Sequence, residues 1–560
     1  MKWYKYSQRN ILLTGWEKAI FALLNQCKDV SNKLYNSEMI VAGGWVRDKL
    51  MDKNSDDIDI AVNGIYEKEP LSGLDFAEEI YKISKDIVPF NVENVIIEKV
   101  SSPHKLNVVN KSSDGNEDSN PALNGGALDI SGKINGQSMS QKIEFIRMRT
   151  ESYDPNSRQP IAVPSESFEE DAMRRDLTIN NMGFNIKTRR LHDSSGGLED
   201  LNNGVLRTPI DPRKTLMEDP LRALRVIRFH SRYPNSKIDP EIIKTMSSNE
   251  FHNSYMKKVA PSRAGDEILK MSKSPNPENG MRVLFETDFY KPVFQIPEDY
   301  KHISMDQKNR NHKLNLMNHT LDVIKNVNSL MKNENEKDRQ LMVLSAIFHD
   351  FGKMHPNIQQ PHHKNEGEMS YLGHEDASSD FANNILTKLG VGEKERKFVN
   401  KVIEHHMYPH VFESKEHKEK DLKPKTVNKF FDKTNIPGMD QEDLEEDWKK
   451  RYRRIPEFVW LHGEADNMSK GEESFDSSGY QRRRKQISDE ILRRNERMSL
   501  KDILGEKPGK IIMRLIPEMR PQDYMGELNP IINNAYNSGQ IQNYQQFENI
   551  VLNWKRSRIK

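Results

Sequence analysis

The sequence predicts an α+β fold, with a small mixed β-sheet near the start followed by a long α-helical body. Two patterns and the composition carry that expectation. Asp57-Ile58-Asp59-Ile60 and Lys142-Ile143-Glu144-Phe145 alternate polar and apolar residues with a period of two, as half-buried strands do. From about residue 166 the helical period dominates, in DPLRALRVIRF, ENGMRVLFE and NHTLDVIKNVNSLM. Hydrophobic residues make up 35% of the chain and charged residues 30%, which suits a soluble, helix-rich protein with long polar loops.

At 560 residues the chain is long enough for several domains. Lys+Arg total 85 against 84 Asp+Glu, a net charge of +1, so any nucleic-acid surface must be local. The single cysteine, Cys27, excludes an intramolecular disulfide framework and a cysteine-based zinc site, consistent with a reducing compartment. No apolar run reaches transmembrane length, and MKWYKYSQRN lacks the apolar core of a signal peptide. A cytoplasmic protein is expected. A mitochondrial address stays open, although the arginine-rich amphipathic pattern of a presequence is absent.

Taken in order, residues 11–35 read as an amphipathic helix leading into an apolar strand that ends at Gly43 and Gly44. The following WVRDKLM is helix-like, with Arg47 and Asp48 in its first turns. A glycine-rich turn opening a helix lets backbone N–H groups approach a phosphate. Asp57 and Asp59 share one face of the next strand and their isoleucines the other. Two adjacent carboxylates repel, so they call for a cation or for a solvent-facing edge strand, and both alternatives stand on the pair alone. With the glycines, the spacing suits a nucleoside triphosphate and magnesium. The Ser/Asn/Gly/Asp-rich segment around 101–140 reads as a mobile loop.

Glu144 comes next, its face opposite Ile143 and Phe145. If its strand lies beside Asp57–Asp59, three carboxylates converge, as a two-magnesium nucleotidyl-transfer site needs. An ordinary exposed glutamate is the equal alternative. In EEDAMRRDLTINNMGFNI, Arg174, Arg175 and Asp176 are expected to begin a helix, with Asn180 one turn on along the face of Asp176. Arginines clamp phosphates bidentately, and Asp and Asn suit ribose hydroxyls. A salt-bridged surface helix explains a bare RRD equally. In EDPLRALRVIRF, Glu218, Arg222 and Arg225 fall near one face of a single helix. Asp219 and Arg222 could offer an acceptor and donors to a base edge. The rival reading is a solvated acid–arginine pair contributing only about 0.2–0.5 kcal/mol.

The ordered series GGWVRD, DDIDIA, IEFIRMRTE, RRDLTIN, GLEDLNNGVLRTP and EDPLRALRVIRF resembles the class II tRNA nucleotidyltransferases (CCA-adding enzymes) and their sister poly(A) polymerases, of the polymerase-beta superfamily. The resemblance covers roughly residues 10–240, and AGGWVRDKL and EFIRMRTESYDPNSR look more like the eukaryotic branch. It implies that Gly43, Gly44 and Arg47 bind nucleotide, that Asp57 and Asp59 hold Mg2+ and that Glu144 is the third catalytic carboxylate beside them. It implies sugar and phosphate contacts from Arg174, Arg175, Asp176 and Asn180, and base pairing by Asp219 and Arg222 with Arg225 beside them. The implied activity is addition or repair of the tRNA CCA terminus with CTP and ATP. A poly(A) polymerase, or an enzyme adding only C or only A, is the nearest alternative. The long polar insertion before Glu144 departs from the family pattern, at the place of a loop linked to the switch from C to A addition.

Histidines concentrate between residues 310 and 410. An HD pair, His349-Asp350, ends an apolar helix, and imidazole with carboxylate suits a divalent metal. With NHTLDVIKNV, YLGHEDA, VIEHHMYPH and LHGEADNM in order, this part resembles the HD phosphohydrolase domain. That resemblance implies His319, His349, Asp350 and Asp466 as ligands of Mg2+ or a divalent transition metal, with His374 and His405 as additions. The other-class alternative is therefore an HD phosphohydrolase whose head only binds RNA. The expected domains are a nucleotidyltransferase head (1–190), a helical neck (191–300), an HD-type domain (301–475) and a helical tail (476–560). The basic stretches KKRYRR, QRRRK and WKRSRIK are solvated faces by default, and candidates for phosphate contacts on a tRNA.

Overall fold

A computed structural model describes residues 11–55, 57–106, 120–154, 157, 160–309, 313–412, 420–438, 444–470, 476–496, 503–520, 522, 524–537 and 540–558. It divides into two compact units, Met1–Pro297 and Glu298–Lys560.

The first unit opens with α1 (Gly15–Val30), started by a reciprocal capping box between Thr14 and Glu17. Then come β1 (Met39–Ala42), α2 (Gly44–Leu50), β2 (Ile58–Val62), α3 (Gly73–Ile87), β3 (Phe90–Val92), β4 (Val95–Val100) and β5 (His104–Leu106). The long hairpin β6 (Gly125–Ile134) and β7 (Gln137–Arg147) follows, with the ribbon β8 (Arg149–Tyr153) and β9 (Pro160–Pro164). After α4 (Phe168–Met173), two short strands, β10 (Gly183–Asn185) and β11 (Leu191–His192), complete the sheet. Its order is β11-β10-β1-β2-β7-β6-β4-β3, with β5 on β6. β2 and β7 run parallel while their other partners run antiparallel, so the sheet is mixed as expected.

Alternation in β2 and β7 decides which face is wet. Ile58, Ile60, Ile143 and Phe145 are buried, and Phe145 stacks on Phe76 of α3 at 6.3 Å between centroids. Asp59 and Glu144 are thereby turned to the opposite face.

Three local expectations fail for identifiable reasons. Residues 125–140, expected to be loop, form most of the β6–β7 hairpin, turned by Asn135 and Gly136 with φ of 49° and 82°. Asn-Gly tolerates two successive positive φ values, which a type I′ hairpin turn requires. Residues 107–119 of that segment lie outside the described residues. Arg174–Asp176 do not begin a helix but follow the end of α4, and Asn180 sits on a separate 3₁₀ turn. Finally, EDPLRALR is not one helix. α5 (Pro212–Glu218) ends before Asp219, whose backbone is extended (φ −131°, ψ 94°), and α6 (Leu221–Arg232) starts after Pro220. Proline cannot continue the hydrogen-bond ladder and biases the residue before it to extended backbone. Glu218 and Arg222 therefore do not share a helix face.

Among its described residues the second unit is mainly helical, with one short strand pair, Gln360–Pro361 with Met369–Ser370. α7 (Leu316–Leu330), α8 (Glu336–Phe348), α9 (His374–Lys388), α10 (Glu393–His405) and α11 (Ile455–Met468) pack on one another. Toward the C-terminus, Ile511, Ile512, Leu528, Ile532, Phe547 and Val551 form a separate apolar cluster.

Candidate functional site

In the first unit, the parallel register of β2 and β7 places Asp59 directly beside Glu144, with Asp57 two residues earlier and exposed. Partial desolvation pushes the Asp59 carboxyl up to about 6, and the charges of Glu144 and Asp57 add to it; Arg175 and Lys142 oppose. Lys142 Nζ lies 2.5 Å from Glu144 Oε1, an ammonium on one of the carboxylates. Among the described residues these three are not a set whose ligand atoms all lie within 4.8 Å of one another. Their strands, rather than their side chains, are what converge.

Gly43 (φ +79°) precedes α2, and a Cβ there would lie 3.5 Å from Arg175 Nη1, so the Arg175 guanidinium flanks the glycine turn. Arg174 and Arg175 both hold Asp171, at 2.7 and 2.8 Å. Burial alone would raise the Asp171 carboxyl, but the two guanidiniums bring it down to about 2. Arg174 also reaches Glu151 at 3.2 Å. Asp176 is pulled down to about 2 against the same desolvation by Arg225 (2.6 Å), with Asn180 Nδ2 at 3.1 Å. The expected Asp176–Asn180 pairing is thus present, although a 3₁₀ turn supplies it.

Arg47 is buried at 4% exposure, with Nη1 donating to Asn180 Oδ1 at 2.5 Å, Nη2 on Asp48 at 2.8 Å and its guanidinium over the Phe229 ring. It ties the glycine turn to α6. Arg222 is buried too, donating to the carbonyls of Thr215 and Arg174 and to the Tyr153 hydroxyl. Three of its five N–H donors are therefore placed by the protein. Asp219 is half-buried beside it, its carboxylate accepting Leu221 N–H at 3.2 Å. Sequence reasoning missed Glu151, Tyr153, Asp171 and Glu267, which link these arginines. A signal existed for Asp171, which stands three and four residues before the two arginines.

The second unit gathers a histidine centre. His349 follows α8 and is succeeded by Asp350; His319 comes from α7, His374 opens α9, His406 follows α10 and Asp466 lies on α11. Two groups have ligand atoms within 4.8 Å of one another: His319, His349 and Asp466, and Asp350, His374 and His406. Asp350 joins them, with Oδ2 3.3 Å from both His319 and His349 and Oδ1 3.2 Å from His374. The Nδ1 atoms of His319, His349, His374 and His406 lie 2.6–3.1 Å from backbone carbonyls, which assigns N–H there and turns Nε2 lone pairs inward. Nε2 atoms then face each other at 3.4 and 3.3 Å, an arrangement of acceptors that a cation satisfies. Burial opposes charge on His319, but Asp350 and Asp466 hold its imidazole up to about 9. That extra proton marks the position of positive charge, so the donor set fits divalent metal.

His374 joins the centre as expected. His405 does not: its Nε2 donates to the Lys433 carbonyl at 2.9 Å, and the neighbouring His406 points inward instead. His410 and His462 were not anticipated. His410 Nε2 holds Asp466 Oδ2 at 2.7 Å, and the His462 ring lies 5.1 Å from that of His349.

Residues 39–99 and 128–207 match the poly A polymerase head domain family, residues 237–300 the probable RNA and SrmB-binding site of polymerase A, and residues 316–435 the HD domain family. Three parts of the chain thus match, in order, a poly A polymerase head, a polymerase RNA-binding segment and an HD domain. Among curated relatives, a tRNA nucleotidyltransferase of Schizosaccharomyces pombe is 35% identical over 51% of this chain and 54% of its own. A mitochondrial CCA tRNA nucleotidyltransferase of Saccharomyces cerevisiae is 30% identical over 53% and 51%. The chain thus spans about half the length of the curated relatives it matches. Its fold resembles that of a CCA-adding enzyme in apo form II, with TM-score 0.55 and 16% identity over 96% of each chain. The Bacillus stearothermophilus CCA-adding enzyme in complex with CTP gives TM-score 0.55 and 14% identity, over 98% of this chain and 99% of that one. Asp466 lies beyond the residues matched to the HD domain, and it is α11 that brings it to His319.

Proposed function

We propose that this protein is a template-independent nucleotidyltransferase that adds or repairs the CCA terminus of tRNA from CTP and ATP. The observation that carries this reading is the parallel β2–β7 register, which sets Asp59 beside Glu144 on the wet face with Asp57 adjacent. Asp57, Asp59 and Glu144 would hold Mg2+, which supplies Lewis acidity and charge neutralisation in nucleotidyl transfer. Arg175 at the Gly43–Gly44 turn contacts phosphate. Arg174, through Asp171, and Arg47, through Asn180, position that turn. Asp176 and Asn180 face the sugar, and Asp219 with Arg222 reads the base, Arg225 fixing Asp176 beneath them. The division into head (1–190), neck (191–300), HD-type domain (301–475) and tail (476–560) belongs to the same proposal.

The names of the relatives support tRNA as the acceptor, and those named mitochondrial keep that compartment open beside the cytoplasm. No helix among the described residues is long and apolar enough to cross a membrane. The test is incubation of purified protein with tRNA lacking its terminus and each nucleotide, separately and together. Addition of C, C and A supports the reading; A tracts without C would make it a poly(A) polymerase, and C or A alone a partial enzyme. A second activity, metal-dependent phosphohydrolysis, is favoured by the histidine centre, where His319, His349, Asp350, His374, His406 and Asp466 would hold Mg2+ or a divalent transition metal.

A further inference from the structure

His462 is fully buried, and both its ring nitrogens lack any hydrogen-bond partner. Its ring lies 5.1 Å from that of His349 and 5.7 Å from that of His406, one from each ligand group, and those two rings are 5.3 Å apart. It also lies one helical turn before Asp466 on α11, on the same face. A buried polar atom left unsatisfied is costly, so a residue that merely filled this space would be apolar. His462 does not behave as a ligand either. The four histidines of the two groups each have Nδ1 fixed on a backbone carbonyl; His462 has no such bond and belongs to neither group.

Resting on the reading of this centre as a metal site, we propose that His462 is a positioning residue that hydrogen-bonds a water held by the bound cations. The imidazole then gains a partner for one of its ring nitrogens only when the centre is loaded. Partners one step outside a metal's ligands typically change its affinity by about 10- to 100-fold.

The test uses the full chain with D57A/D59A in every variant, so that only the histidine centre is read, stripped with chelator and titrated with Mn2+ against a fluorescent competitor, with melting followed in both states. H462F and H462L are expected to weaken Mn2+ binding about 10- to 100-fold while leaving the metal-free melting temperature unchanged or higher. H462Q, which keeps an amide donor and acceptor, should recover part of the affinity. Binding within about twofold of wild type in the apolar variant that folds would overturn the inference, as would H462F and H462L both collapsing without metal while H462Q binds normally. D350N separates the two levels. If it too binds Mn2+ like wild type, the metal reading fails; if it alone loses binding, only the role of His462 fails.

Discussion

Asp59 is the residue on which the head's chemistry turns. Its carboxyl titrates near 6, above an ordinary aspartate at 3.8, so without metal this group favours the folded state below about pH 4. That contribution is lost as pH rises through about 6, and D59N should remove the slope from urea denaturation measured across that window. The same proton competes with Mg2+ or Mn2+. In a D350N background, Mn2+ binding at the head should weaken by about tenfold per pH unit below 6, read by titration near pH 5 and pH 7; equal affinities would contradict the assignment. Arg222 has a structural duty and, on the proposed function, a second one at the base. R222A should cost about 1–3 kcal/mol of stability, because the carbonyls it serves are left unpaired. It should also lose about 1–3 kcal/mol of base discrimination, seen as misincorporation of UTP and GTP. Stability loss with selectivity intact would make Arg222 structural only. At the histidine centre, H406A should lower bound metal and H405A should not, as measured by elemental analysis after gel filtration.

At the scale of elements, α3 presses against the strand that carries Glu144. A Cβ on Gly73 would meet the Phe145 carbonyl oxygen at 2.0 Å, so G73A must push α3 and β7 apart. The expected cost is about 1–3 kcal/mol, with nucleotide addition falling through displacement of Glu144; melting and addition assays check both. The strands themselves were legible, because period-two alternation in DIDI and KIEF records which face is buried. Pairing was not, since nothing in either segment states that β2 and β7 are neighbours or parallel. The β6–β7 hairpin was hidden by polar composition, although Asn135-Gly136 was readable as its turn. Pro220 was likewise visible, and it outweighs the helical spacing of Glu218, Arg222 and Arg225. At the histidine centre, the resemblance to the HD domain supplied His319, His349, Asp350, His374 and Asp466. It supplied His405 where the structure uses His406, because adjacent residues at a helix end diverge by about 100° and one of them must point away.

For the whole molecule, near-neutral charge leaves no global field to draw a polyanion. The basic stretches do not simply supply one. Arg451 and Arg454 hold Asp338 and Glu334, and Arg483 is buried over Trp460. Arg484 pairs with Glu464, and Lys555 with Glu518. These are internal staples before they are phosphate contacts, which leaves the strand carboxylates of β2 and β7 and the histidine centre as the two candidate sites. One comparison tests the division most directly: wild-type and D57A/D59A protein assayed on tRNA lacking its terminus with CTP and ATP, alongside their bound-metal content. The double variant is expected to lose nucleotide addition while metal in the histidine centre is unchanged. Addition retained in D57A/D59A would contradict that expectation.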